Sequence, residues 1–405
     1  MTVFHVHALW SAFMLWQPPL PDSYTAMTDD ELVNAITTRR AQLGDQLVIL
    51  GHHYQQDDVI RFADFTGDSF KLSELAAERV SETGAKYVIF CGVHFMAESA
   101  DILTPDDTSI LLPDLSAGCS MADMADYEQT VDAWEAINET LKGTHSRVIP
   151  ICYMNSSAAI KSFCGEHGGA VCTSSNCDQI FEWALAGGEE PLKPGETIRI
   201  LFLPDQHLGR NTAAAVGFDV KTQMTVWDPM DSAGMGGNTE AQIQNAVFYL
   251  WKGHCSVHKL FRPEHVDQIR SEWSGVKVIT HPECCYEVCQ LSDMTGSTEG
   301  IKSAIENSPA GSRWAVGTEV HMVNRLAGEA AARGVEVRML SGCQCLCTTM
   351  YRIDMPHLLW TMDQLSQGIV VNAVKVHPQV KRWGMIALQR MLDIAQKKTV
   401  KALAK

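Results

Sequence analysis

Three cysteines, Cys343, Cys345 and Cys347, alternate with other residues in "SGCQCLCTTMYRI". Thiols so spaced could hold zinc, form a redox pair or fill a core. Alternating C-x-C-x-C matches the C-x₂₋₄-C pairs of structural zinc poorly. Counterparts elsewhere are more informative: "AGCS" carries Cys119 and "GHCS" carries Cys255. Each cysteine follows a glycine-bearing turn, at Gly118, Gly253 and Gly342. One thiol from each place, Cys119, Cys255 and Cys347, suits a cuboidal iron–sulfur cluster, which is usually held by four thiolates. A three-cysteine set leaves one iron without a protein ligand, able to bind a substrate oxygen as a Lewis acid. Zinc on three cysteines plus water is the alternative metal site. Taken singly, any of these cysteines reads equally as a buried, inert thiol.

A second group of residues could move protons or hold anions. It begins with His52 in "LVILGHHYQ", Tyr153 in "VIPICYMNSS" and His281 in "VKVITHPEC". Each stands at the polar end of an apolar, β-branched run. Small hydroxyl residues follow: Ser69 in "TGDSF", Ser174 in "CTSSN", and Ser297 and Thr298 in "TGSTEG". The step from His52 to Ser69 equals that from His281 to Thr298, and the step from Tyr153 to Ser174 is slightly longer. Histidine titrates near working pH, so His52 and His281 could shuttle protons or hold a carboxylate. Glu283 could serve as a base, and Tyr54 and Tyr153 could orient an intermediate. Hydroxyls beside the free N–H groups of a helix start favour anions. The plainer readings are helix capping for the hydroxyls and satisfied core groups for the rings.

These residues recur because the chain repeats. After each hydroxyl comes a second strand, "KYVIFCGVHF", "IRILFLPDQH" or "RWAVGTEVHM", which aligns His94, His207 and His321. A third strand then reaches the cysteine. The interval from His94 to Cys119 nearly equals that from His321 to Cys347, and the one from His207 to Cys255 is much longer. The excess in the middle pass is a Gly- and Met-bearing insertion near 215–243 that reads as a long loop or small lobe. The His94/Glu98 and His321/Glu319 pairs read as structural, and Arg210 and Asn211 as serving either charge or packing. Apolar strands alternating with helices predict α/β units, each a parallel sheet covered on both faces. In such sheets ligands bind beyond the C-terminal strand ends. The predicted organisation is an extension at 1–44, repeats at 45–145 and 146–275, and a third repeat with C-terminal helices at 276–405.

Composition is that of a soluble globular protein. A net charge of −16 without a long basic run argues against a nucleic-acid surface. No apolar run reaches the roughly 18–20 residues of a membrane helix. The N-terminus has no Lys or Arg before its apolar part and no clear cleavage site, so it reads as an extension. The 13 cysteines, an odd number, then favour a reducing cytoplasmic setting.

Together the motifs "GHHYQ", "DFTGDS", "PDLSAGCSMADM", "CYMNSSAAIKS", "LFLPDQHLGRNTA", "GHCSVH", "HPEC", "GSTEGI" and "CLCTTMYRI" resemble the quinolinate synthase family, over roughly 45–350. The resemblance implies condensation of iminoaspartate with dihydroxyacetone phosphate to quinolinate, with loss of phosphate and water, in de novo NAD biosynthesis. It implies a [4Fe–4S] cluster on Cys119, Cys255 and Cys347 with one open iron, and three α/β/α units in pseudo-three-fold arrangement around it. Substrate-binding residues carry over to His52, Tyr54, Ser69, Tyr153, Met154, Asn155, Ser174, His281, Pro282, Glu283, Ser297 and Thr298, with Tyr54, His281 and Glu283 catalytic. Ser175 competes with Ser174 for its place. A partner that oxidises or dehydrogenates L-aspartate could supply iminoaspartate. The rival readings are a simple cluster-dependent hydro-lyase and a non-catalytic iron–sulfur sensor.

Overall fold

The computed structural model of the protein describes residues 16–342 and 345–403, without the side chains of Phe70 and 397–403. Cys343 and positions 1–15 of the extension lie outside the described residues.

Three sheets carry the fold. The first holds β1 (Leu47–His52), β2 (Phe65–Gly67), β3 (Tyr87–Cys91) and β4 (Ser109–Leu111). The second holds β5 (Ser146–Tyr153), β6 (Ala170–Cys172), β7 (Thr197–Leu203), β8 (Met224–Trp227) and β9 (Phe248–Trp251). The third holds β10 (Lys277–Thr280), β11 (Met294–Thr295), β12 (Arg313–Gly317) and β13 (Glu336–Met339). Their orders are β2-β1-β3-β4, β6-β5-β7-β9-β8 and β11-β10-β12-β13. Setting β8 aside, the same order recurs three times, and every pairing among these strands is parallel.

Parallel strands covered on both faces should be apolar throughout. All six residues of β1, all of β9 and the last six of β5 are buried. The short strands β2, β6 and β11, of two or three residues, were not foreseen from the sequence. The middle insertion is largely turns and loop around one short strand. It folds β8 onto the edge of β9 from Met224 to Trp227, which covers that edge.

By compactness the chain forms two units, 1–67 with 71–119 and 348–375, and 68–70 with 120–347 and 376–405. The first contains the first sheet, and the second contains the other two. The C-terminal segment expected beside the third repeat packs on other elements. Helix Met355–Ser366 packs on helix Asp29–Leu43, where Asp363 pairs with Arg39 and accepts from the Tyr24 hydroxyl. Strand β14 (Ala373–Val374) pairs antiparallel with β4 and so covers the edge of the first sheet. Helix Pro378–Leu403 packs on helix Ala158–Glu166 beside the second sheet. Its Arg390 donates to the carbonyls of Gly165 and Gly169, at 3.1 and 2.7 Å.

Candidate active site

Each sheet sends the same kinds of residue from its C-terminal edge. The first strand of each repeat ends in a ring: His52 closes β1, Tyr153 closes β5, and His281 follows β10 directly. The second strand leads to hydroxyls. Ser69 opens helix Ser69–Thr83, and Ser297 caps helix Thr298–Glu306 by accepting from Gly300 N–H at 3.1 Å. Ser174 does not begin a helix, because helix Cys177–Leu185 starts later, after Asn176. The Ser175 hydroxyl is tied to Thr173 at 2.8 Å. Ser174 is half-buried and makes no side-chain hydrogen bond among the described residues, which leaves its hydroxyl available to a ligand.

The turns after β1 and β10 are alike. His52 Nδ1 accepts from the N–H of Tyr54 at 3.1 Å, and His281 Nδ1 accepts from the N–H of Glu283 at 3.3 Å. An accepting Nδ1 places the proton of a neutral ring on Nε2. Tyr54 also sets its ring edge-on to His52, with centroids 4.8 Å apart. In the second sheet, Met154 is buried and donates its N–H to the carbonyl of Cys172 at 2.7 Å. Asn155 Oδ1 is buried with no donor among the described residues, an orphaned acceptor that suits a substrate N–H or O–H.

The most concentrated chemistry surrounds Glu283, which is 2% exposed. Its Oε2 lies 2.7 Å from Nδ1 of His258, and Nε2 of His258 lies 3.1 Å from the Thr318 hydroxyl. His258 and His281 stack with centroids 4.5 Å apart. Tyr153 gives Glu283 a further side-chain hydrogen bond. Burial alone would raise the Glu283 pKa. The charge of His258, then that of His281, and the bonds from His258 and Tyr153 overcome it and hold the carboxyl down at about 2. Burial lowers His281 to about 3, so it stays neutral at ordinary pH. His258 also bonds the carboxylate directly, at 2.7 Å. The array runs hydroxyl, imidazole, carboxylate. Such a line can pass a proton through His258 while Glu283 neutralises the imidazolium.

A second buried carboxyl stands close by. Asp205, fully buried, caps helix Gln206–Ala215 by accepting from His207 and Leu208 N–H at 2.6 and 3.1 Å. It also accepts the N–H of Cys255. Burial, and next the charge of Glu283, push its pKa well up against the backbone N–H groups it accepts from. The backbones of Asp205 and Gly253 form a β-bridge. A Cβ at Gly253 would lie 2.1 Å from the Pro204 carbonyl, so only glycine lets the Cys255 turn approach this closely. Glu319 repeats the cap in the third sheet, holding His321 and Met322 N–H.

The thiols separate by exposure. Of the 12 described cysteines, none in a disulfide, only Cys119, Cys255, Cys285 and Cys347 are half-buried. Burial pushes Cys91 and Cys289 up to about 12, and raises Cys164, Cys172 and Cys284 as well. Protonated, enclosed thiols are poor metal ligands. The three cysteines expected as ligands are thus among the four with access, and this donor set fits an iron–sulfur cluster. Cys255 and Cys347 pack against one apolar cluster, of which buried Cys345 is a member. Ligand atoms of Cys255, His258 and Glu283 also lie within 4.8 Å of one another and could hold a metal ion. His258, with both ring nitrogens engaged by Glu283 and Thr318, is a poor ligand as it stands.

Sequence reasoning passed over His258, Thr318 and Asp205, and left Asn211 between charge and packing. His258 stands in view inside "GHCSVH" but has no counterpart in the other repeats, where the third residue after the cysteine is Ala122 or Met350.

Repeated parallel sheets that deliver rings, hydroxyls and accessible thiols from their strand ends, together with a buried acid–base array, define an α/β enzyme. The chain belongs to the family described as quinolinate synthetase A protein, whose model matches residues 34–393. It is similar to the quinolinate synthase of Acidobacterium capsulatum, at 52% identity over 92% of this chain and 95% of that one. It is similar also to those of Rhodopirellula baltica (48%, covering 92% and 93%) and Streptomyces coelicolor (47%, covering 92% and 91%).

Proposed function

We propose that this protein is a quinolinate synthase of NAD biosynthesis. It joins iminoaspartate to dihydroxyacetone phosphate and releases quinolinate, one phosphate and two waters. The observation that carries the mechanism is the buried Tyr153–Glu283–His258–Thr318 array. Enamine formation, ring closure and dehydration each need a proton moved. A carboxyl held down at about 2 is a weak acceptor, so Glu283 acts as a fixed negative charge and His258 takes the proton. Neutral His281 donates from Nε2 to a substrate carboxylate or carbonyl, and His52 does the same from its matching turn. Tyr54 and Tyr153 orient the intermediate. Ser69, Ser174, Ser297 and Thr298, with nearby helix N–H groups, hold the phosphate and carboxylates, while Met154, Asn155 and Pro282 shape the wall.

Cys119, Cys255 and Cys347 would hold a [4Fe–4S] cluster, which when bound supplies a Lewis-acid iron without a protein ligand. Among the described residues no helix is long and apolar enough to cross a membrane. The setting proposed is the cytoplasm. The proposed source of unstable iminoaspartate is an enzyme that oxidises or dehydrogenates L-aspartate.

Anaerobically purified protein should be brown and should release phosphate from dihydroxyacetone phosphate only when iminoaspartate is present. Protein with intact iron that releases none would contradict the proposal. Tyr153→Phe removes one donor from a charged, buried acceptor. It should lower kcat by about 10- to 100-fold with the cluster retained; unchanged kcat would remove Tyr153 from the array.

A further inference from the structure

We infer that Asn211 is a positioning residue for the acid–base centre, an inference that rests on reading Glu283 and His258 as that centre. Asn211 lies on helix Gln206–Ala215, the helix that Asp205 caps. Its Nδ2 donates to the carbonyl of Pro282 at 2.8 Å and to that of Cys284 at 2.8 Å. These carbonyls flank Glu283 on either side. One amide therefore holds the peptide that precedes Glu283 and the peptide that follows Cys284.

The turn has little else to hold its carbonyls. Its N–H groups are satisfied internally, Glu283 N–H by His281 Nδ1 at 3.3 Å and Cys284 N–H by the His281 carbonyl at 3.0 Å. The Pro282 carbonyl has no other donor among the described residues. The Cys284 carbonyl also meets the Cys289 thiol at 3.6 Å, a weak donor. Asn211 Nδ2 also lies 3.3 Å from Cys289 Sγ, and its Oδ1 is buried with no partner among the described residues, so the contacts of Nδ2 set the amide's orientation.

The same helix reaches the other side of the site. Asp205, at its cap, accepts the N–H of Cys255. Cys255, His258 and Glu283 present atoms within 4.8 Å of one another. One rigid helix thus fixes two turns that must stay in register, and Asn211 is its hold on the turn that carries Glu283. The 2.7 Å bond from Glu283 to His258 depends on that register.

The test is a double-mutant cycle on cluster-loaded protein. Asn211→Asp keeps the shape of the side chain, removes both donors and sets a carboxylate against two carbonyls. Asn211→Ala removes the group on a helix that favours alanine. A misplacement of about 1 Å costs around 100-fold, so each variant should lower kcat by about 30- to 100-fold with KM for both substrates little changed. Iron content should match the wild type. In a Glu283→Gln background the same changes should cost less than about threefold, because groups acting as a unit are not additive. Wild-type kcat in Asn211→Asp, beside an inactive Glu283→Gln, would overturn this inference alone. So would an equal loss in both backgrounds, the mark of a purely structural role. Full activity of Glu283→Gln would overturn the reading of the centre and this inference with it.

Discussion

Glu283→Gln should lower kcat for quinolinate formation by about a thousandfold, with iron content unchanged. The substitution preserves volume and removes the charge. Glu283 is enclosed, bonded to His258 at 2.7 Å and reached by the Tyr153 hydroxyl. Without the anion, His258 loses the carboxylate that stabilises its imidazolium, and the array takes a proton far less readily. Substrate contacts made by hydroxyls at the other strand ends remain, so KM should change far less than kcat.

The variant should also alter acid stability. The Glu283 pKa in the fold, about 2, lies below its ordinary 4.5. The ionised form therefore contributes stability above about pH 4.5, and that contribution is lost as pH falls toward 2. His281, buried and neutral, has its pKa lowered from 6.5 to about 3, so stability also falls with pH through that range. Glu283→Gln should keep the His281 part of the slope and lose the part below about 4.5. Identical acid-unfolding curves for the two proteins would show that the carboxylate is not held ionised by its neighbours.

Serine at Cys119, Cys255 or Cys347 should remove most of the iron and its visible absorbance. Even outer-shell changes at metal sites cost about 10- to 100-fold in affinity, and loss of one thiolate in three should exceed that. Cys345→Ser is the informative control. Cys345 is fully buried in the apolar cluster that Cys255 and Cys347 border. A hydroxyl there should cost about 1–3 kcal/mol of stability and leave iron content intact. Cys343→Ser should likewise keep its iron. Equal iron loss at Cys345 or Cys343 would move the third ligand away from Cys347.

Much of this arrangement was legible because the chain repeats. Apolar β-branched runs placed β1, β5 and β10, and the shared register put His52, Tyr153 and His281 at equivalent strand ends. The same register separated Cys347 from Cys345, and burial separates them again. What it missed follows from the same logic. The strands β2, β6 and β11 are too short to show a period. Strand β14 pairs with β4, which lies far back in the chain, and no local pattern reveals such a partner. His258 reaches Glu283 and Thr318 from well outside their own motifs, and Asn211 meets its turn from a different repeat. These residues are unique to one repeat, and a search for what recurs passes over them. Glu283 was legible as an acid but not in its state, since its charge depends on partners that only the fold assembles.

The proposed reaction builds a pyridine ring from two small anions. Carbon-13-labelled dihydroxyacetone phosphate, supplied with unlabelled iminoaspartate to cluster-loaded protein, tests it directly by mass spectrometry of the product. The quinolinate formed should retain every labelled carbon, with one phosphate released per ring. Phosphate release without a labelled pyridine dicarboxylate, or no reaction from protein with intact iron, would contradict it.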